Sequence, residues 1–270
     1  MLFVHDKGRM CNNILQYAHV YAWAREHRRA SLSMRFAYKY PYFHIGDTRY
    51  HNIFFYLLGK YAAKLRLLPT VSFHNENVSV NRQEALLSSH RHLMVEGWYV
   101  RFYDLFLKHK DEICRLFAFH NDIEQKTLAR LAPCRHTLKL GLHIRRGDYA
   151  RWQGGKYLYT DEQFIRVVRR FIDLHSDRPV SLWICSNDSE LDRVPYQTAF
   201  GIENVHFADG NAGQDLCLLS HCDYLIGAPS TFTLVASMYR DTPLYWMTDA
   251  ETPLTEASFD RFDRLFRHIL

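Results

Sequence analysis

The spacing of apolar positions changes repeatedly along the chain, and those changes predict its elements. Residues 2–5, LFVH, form a short apolar run that reads as a strand, and Gly8 then marks a turn. From Met10 to His27 the period becomes helical, with Ile14, Leu15, Ala18, Tyr21 and Ala22 on one face. Further strands are predicted at SLSMRF (31–36), TVSF (70–73) and HLMVEGW (92–98), and a helix over Tyr103 to Phe117. The second half has a cleaner rhythm. TLKLGLHI (137–144) predicts a strand, and Thr160 with Gln163 gives capping-box spacing ahead of a helix carrying Phe164, Val167, Val168, Phe171 and Ile172. Strands follow at VSLWICS (180–186) and around Val205 to Phe207, then a helix after Gly213 through Leu216, Leu219 and Ser220. The strand DYLIGA, a helix from about Ser230, the strand PLYWM and a terminal helix at 258–269 complete the pattern.

Short apolar runs alternating with helices predict an α/β fold with mostly parallel sheets. Asn121, Asp122, Pro133 and a string of polar residues interrupt the pattern at 120–136, so two Rossmann-like domains are expected, 1–130 and 131–270. Ligands in such folds bind at the carboxyl ends of strands, which places the expected active site in the cleft between the halves.

Composition narrows the function classes. The chain has 270 residues, 47% hydrophobic and 23% charged, which excludes a disordered chain. Lys and Arg do not cluster with interleaved aromatics, and no zinc-finger or RNA-binding consensus occurs, so nucleic acid is not an expected partner. The net charge of +5 leaves room for peripheral membrane association through a basic surface. Six cysteines are scattered without a CxxC pair, which suggests reduced thiols and a cytoplasmic location, as does an N-terminus that enters a strand without a signal-peptide pattern. No window approaches a membrane-spanning length of apolar residues.

The segment His143, Ile144, Arg145, Arg146, Gly147, Asp148, Tyr149 carries the strongest chemical signal, because it lies where a strand runs out into a loop. Neighbouring side chains on a strand point to opposite faces, so the two arginines are expected to divide, one toward a ligand and one tied down. A guanidinium can hold two phosphate oxygens and neutralise charge on a departing diphosphate. Gly147 permits a sharp turn, and Asp148 can orient a neighbouring Arg. At the N-terminus Gly8, Asn12 and Asn13 open the first helix, where free amides favour an anion or a sugar. Ser230 and Thr231 can cap a helix while reaching a phosphate, and Asp215 can accept from the N1 and N2 donors of guanine. No DxD motif and no His/Cys/Asp metal pattern is evident, so neither metal nor other cofactor is expected.

Together these segments resemble the GDP-fucose-dependent fucosyltransferases, and among them the bacterial α-1,2-fucosyltransferase family. Its pattern GRxGNQxxQYA is similar to GRMCNNILQYA at 8–18, and its HxRRGDY to HIRRGDY at 143–149. The resemblance runs from Gly8 to about Thr233. It implies a GT-B-like fold with an acceptor-side first domain and a donor-binding second domain. It implies an inverting, metal-independent transfer of fucose from GDP-fucose to a glycan hydroxyl, as in surface polysaccharide synthesis. By position, Arg145 would contact the phosphates and be catalytic with Asp148. His143 would line the same site, Asp215 would hold guanine, and Ser230 and Thr231 the phosphate, with Gly8 and Asn12 also on the donor side.

The sequence departs from the pattern at Cys11, where the family has Gly, at Asn13, where it has Gln, and at PSTFT, which replaces an SSFSWW-like segment. These departures leave the linkage open. Relatives forming α-1,6 bonds carry a Glu as candidate base where this chain has Gln153, so the base stays unassigned among Asp6, His5 and Asp148. The alternatives are a transferase using another GDP-sugar or linkage, and a noncatalytic nucleotide- or carbohydrate-binding homologue. The aromatic stretch from Tyr38 to Tyr61 is divided between core packing and sugar stacking.

Overall fold

A computed structural model describes residues 1–270 except Asp6, Asn77 and Leu270. The chain divides into two compact units, Met1–His120 and Asn121–Leu270.

The first unit is built on β1 (Leu2–His5), α1 (Met10–Glu26), β2 (Ser31–Ser33), α2 (Ile53–Lys64), β3 (Thr70–Ser72), α3 (Val80–Ser88), β4 (Leu93–Glu96), α4 (Tyr103–Lys108) and α5 (Lys110–Leu116). Its strands form a parallel sheet in the order β2-β1-β4-β3. Leu2, Phe3 and Val4 are all buried, because a parallel strand covered on both faces has no polar side to present. Helix α1 is buried along most of its length, and so takes Asn13, Gln16 and His19 into the interior beside Ile14, Leu15 and Ala18. The single helix expected from Tyr103 to Phe117 is two, α4 and α5. The break falls at His109, whose ring reaches back to Glu26 at 2.5 Å. The strand expected over 31–36 stops at Ser33, since β1, its only neighbour, itself ends at His5.

The second unit runs α6 (Asn121–Leu131), β5 (Leu138–Ile144), α7 (Asp161–Leu174), β6 (Val180–Ser186), α8 (Val194–Phe200), β7 (Val205–Phe207), α9 (Ala212–Ser220), β8 (Tyr224–Gly227), α10 (Thr231–Met238), β9 (Leu244–Trp246) and α11 (Phe262–Leu265). The parallel sheet has the order β7-β6-β5-β8-β9. Leu138, Leu140, Leu142 and Ile144 of β5 share a core with Phe164, Val167, Val168 and Phe171 of α7. The predicted capping box at the start of α7 is present, with Thr160 and Gln163 bonding reciprocally. The polar stretch 121–131 forms α6, burying Ile123, Thr127 and Leu131 on one face. The terminal helix expected over 258–269 contracts to the four residues of α11 and a single 3₁₀ turn at Phe266–His268.

From β5 the chain steps outward to β6 and β7, then returns to the other side of β5 for β8 and β9. The strand order therefore reverses between β5 and β8. Crevices outside the carboxyl ends of strands at such a reversal are where open α/β sheets bind ligands. None of the six cysteines is in a disulfide; five are buried and Cys114 is half-buried. Among the described residues no helix is long and apolar enough to cross a membrane.

Candidate active site at the carboxyl ends of the second sheet

His143 pairs in register with Gly227, so β5 and β8 reach the reversal point level with each other. Their closeness depends on Gly227, where a Cβ would lie 2.9 Å from the His143 carbonyl oxygen. The strand-end segment 145–149 and the loop 228–230 then leave the sheet side by side. Tyr149 ties them together: its buried hydroxyl donates to the Pro229 carbonyl. Gly147, with φ of +68°, makes the turn that lets the chain drop from β5 into this loop.

The two arginines lie just beyond the end of β5 and are held by different partners. Arg146 is bound on several sides. Its Nη2 donates to Asp161 Oδ1 at 2.5 Å, its Nη1 lies 3.8 Å from Asp188, and the side chain of Asn187 bonds both its backbone N–H (2.8 Å) and its carbonyl (3.1 Å). Asp161 also accepts from the buried Tyr196 hydroxyl at 2.6 Å. Arg145 donates through Nη2 to Asp148 at 2.8 Å, and its guanidinium lies over the Tyr149 ring, 5.4 Å from the centroid. Its Nε is buried without a hydrogen-bond partner. Asp148 thus takes the orienting part that the sequence allows it. Asn187, Asp161 and Asp188 are the supports that sequence reading missed; SND at the end of β6 was the only available signal.

His143 is buried, with its ring stacked on Phe232 at 4.8 Å and Nδ1 unpartnered. Burial, and after it the nearby Arg145 charge, push its pKa down to about 3. It is a neutral imidazole at any physiological pH, able to offer a hydrogen bond but no charge. Ser230 caps α10, its hydroxyl accepting from the Phe232 N–H at 3.1 Å, and Thr231 begins the first turn.

Asp215 sits in the first turn of α9, downstream of a capping box in which Asn211 and Gln214 bond reciprocally. Its Oδ1 is buried without a partner. Burial raises its pKa to about 6, against the lowering pull of the Gly210 amide and Arg130. A carboxylate held dry with an idle oxygen is suited to a ligand that brings its own N–H donors.

Gly8 and Asn12 belong to the first unit, at the carboxyl end of β1. Gly8 has φ of +89°, and Gln16 fastens the turn around it by accepting from the Lys7 N–H and donating to the Lys7 and Asn12 carbonyls. Asn13 is fully buried with both side-chain polar atoms unpartnered. His5 gains a partner that the sequence did not reveal: its Nδ1 lies 2.9 Å from Glu96, its register partner on β4. An imidazole backed by a carboxylate can take up a proton. The other candidate base in this segment, Asp6, lies outside the described residues. Gln153 is exposed in a left-handed kink, φ of +51°.

Two groups of ligand-type side chains do converge among the described residues, although sequence spacing showed none. They are His44, Asp47 and His120 in the first unit, and Glu124, Cys217 and His221 in the second. In the second group burial, first of all, raises the Cys217 thiol to about 12, and Arg240 lies 3.2 Å from His221 and 3.9 Å from Glu124. A protonated thiol and a neighbouring guanidinium oppose a cation there.

No family model matches the chain. Galactoside alpha-(1,2)-fucosyltransferase 2 of Sus scrofa is 25% identical over 257 residues, covering 88% of this chain and 69% of that protein. The chain is similar in sequence to the galactoside α-(1,2)-fucosyltransferases. Solved structures share its fold. POFUT1 in complex with GDP aligns with a TM-score of 0.56 at 11% identity, over 89% of this chain and 94% of that one. Arabidopsis thaliana FUT1 in complex with GDP aligns with a TM-score of 0.60 at 12% identity, over 96% and 73%. The fold class is accordingly GT-B-like, with two Rossmann-like units.

Proposed function

We propose that the chain is an inverting glycosyltransferase that moves fucose from GDP-fucose to a hydroxyl of a glycan acceptor, with an α-1,2 linkage as in the relative's name. The observation that supports the reading is the placement of Arg145, the cap of α10 and the idle Asp215 oxygen on one unit, each following the carboxyl end of a strand of the same parallel sheet. Arg145, held by Asp148 and the Tyr149 ring, faces the diphosphate and takes up the charge that builds as GDP departs. The first-turn amides of α10, with Ser230 and Thr231, hold a phosphate. Asp215 accepts from guanine, and neutral His143 lines the pocket without adding charge. The general base for the acceptor hydroxyl stays open among Asp6, His5 and Asp148. Six cysteines outside any disulfide favour a reducing compartment, the cytoplasm.

Calorimetric titration of GDP, GDP-fucose, GDP-mannose and UDP into wild type and Arg145→Ala tests the donor site. Guanine-selective binding that the substitution abolishes is expected, with turnover down about 100- to 1000-fold. No binding of any GDP species by wild type would overturn the reading, and GDP binding without turnover of any GDP-sugar would identify a noncatalytic homologue. For the base, His5→Gln with turnover intact would remove His5 from the reaction, and turnover lost at unchanged GDP affinity would favour it.

A further inference from the structure

Helix α2 carries large apolar residues on both its inner and its outer face, with Lys60 and Lys64 its only charged residues. Phe55, Tyr56, Ala62 and Ala63 pack toward the core of Phe3, Leu32, Met34 and Met94, and Gly59 lies so close to Phe3 that a Cβ there would sit 2.4 Å from its ring. The outward face, which in an ordinary surface helix would be polar, is not. Ile53, Phe54, Leu57, Leu58 and Tyr61 recur on one stripe and are all exposed, Phe54 to 66%. Leu65 and Leu67 prolong the stripe beyond the helix, Leu67 being 75% exposed. This extension is ordered: Arg66, with φ of +58°, turns the chain, and the Leu67 N–H bonds back to the Ala62 carbonyl at 2.9 Å. A run of large apolar side chains in water marks a surface that docks on something.

The charges on the same segment say what it docks on. Between Thr48 and Pro69 the charged residues are Arg49, Lys60, Lys64 and Arg66, with no Asp or Glu among them. Lys60 and Lys64 lie in the C-terminal half of the helix, and Arg66 stands just beyond its end. An apolar stripe with a purely basic border complements a surface that is hydrocarbon beneath and negatively charged on top. The 12 residues of α2 are about 18 Å long, too short to cross a hydrocarbon core of about 30 Å, so the helix would lie in the plane of the interface.

We propose that α2 and its C-terminal turn form a docking surface for an anionic lipid bilayer, seating Phe54, Leu57, Leu58, Leu65 and Leu67 below the headgroups with Lys60, Lys64 and Arg66 among them. Such seating would bring a membrane-anchored acceptor to the enzyme. The inference is independent of the donor site.

The test is co-sedimentation of the full chain with vesicles of phosphatidylcholine alone or equimolar with phosphatidylglycerol, at low and high salt. Wild type is expected to pellet with the anionic vesicles and to be released by salt. The double substitution L57S/L58S and the charge reversal K60E/K64E should each weaken binding, the latter on the order of 100-fold, from about fivefold per cation removed and a further loss for each anion introduced. GDP affinity, measured on the same samples, should be unchanged in both variants, so a failed donor site and a failed membrane surface give different results. Wild type that stays in the supernatant, or variants that pellet as wild type does, would overturn the proposal. So would sedimentation velocity showing a dimer that L57S/L58S dissociates, since the stripe would then serve a second copy of this chain.

Discussion

Arg145 and Arg146 are adjacent in the chain and differ in what their removal leaves behind. Arg146 lies between Asp161 and Asp188, and Asp161 also receives the hydroxyl of buried Tyr196. Arg146→Ala strands that carboxylate in a half-buried site and is expected to cost about 2 kcal/mol, read by urea unfolding. Unchanged stability with lost turnover would instead give Arg146 a direct part in the reaction. Asp215 makes a pH prediction. Its folded-state pKa, about 6, lies above the usual 3.8, so the folded protein binds this proton more tightly than the unfolded chain does. The stability it contributes is complete below about pH 4 and is lost as pH rises through 6. Asp215→Asn, which cannot ionise, should therefore be more stable than wild type by about 1–2 kcal/mol at pH 7, with the gap closing by pH 4. GDP affinity of wild type should fall below pH 6, where the protonated carboxyl loses an acceptor, and the Asn variant should lose its preference for GDP over UDP. A pH-independent affinity would place guanine elsewhere.

At the scale of elements, the cap that starts α9 also aims Asp215. Asn211 accepts from the amides of Gly213 and Gln214 while Gln214 reaches back to the Asn211 N–H. Asn211→Ala is expected to lower thermal stability by about 1 kcal/mol and to weaken GDP binding as well. A stability loss with intact affinity would show that Asp215 holds its place without the cap. The elements readable in the sequence were those whose period survives burial: β5 and β6 as continuous apolar runs, α7 as an amphipathic stripe behind Thr160 and Gln163. Helix α2 escaped because apolar residues on both its faces leave no polar side to reveal the period, and α6 because its apolar positions are few among polar ones. The helix expected from Tyr103 to Phe117 ran on through His109, since its break depends on Glu26, far back in the chain. For the candidate site the strand-end residues were legible, because Arg145, Asp148 and Ser230 sit at punctuation between apolar runs. Their supports were not: Tyr149 meets Pro229 and Arg146 meets Asn187 only once the sheet is assembled.

Across the whole molecule, charge and burial are unevenly placed. The net charge of +5 is modest, yet residues 48–69 carry only cations, so average composition hides the surface most able to attract an anion-bearing partner. The fold class was within reach of the sequence because two parallel sheets repeat the same βα alternation. What the alternation could not convey was strand order, and the β5/β8 reversal beside the candidate site comes from that order. The buried thiols follow the same division into units. Cys11 is enclosed in the first, and Cys134, Cys185, Cys217 and Cys222 in the second, where burial raises Cys185, Cys217 and Cys222 above the ordinary thiol range. A thiol that is both hidden and protonated reacts with an alkylating reagent only while its surroundings are open. The chain therefore carries built-in clocks, and the rate at which mass is added to each cysteine peptide times the opening of one unit apart from the other.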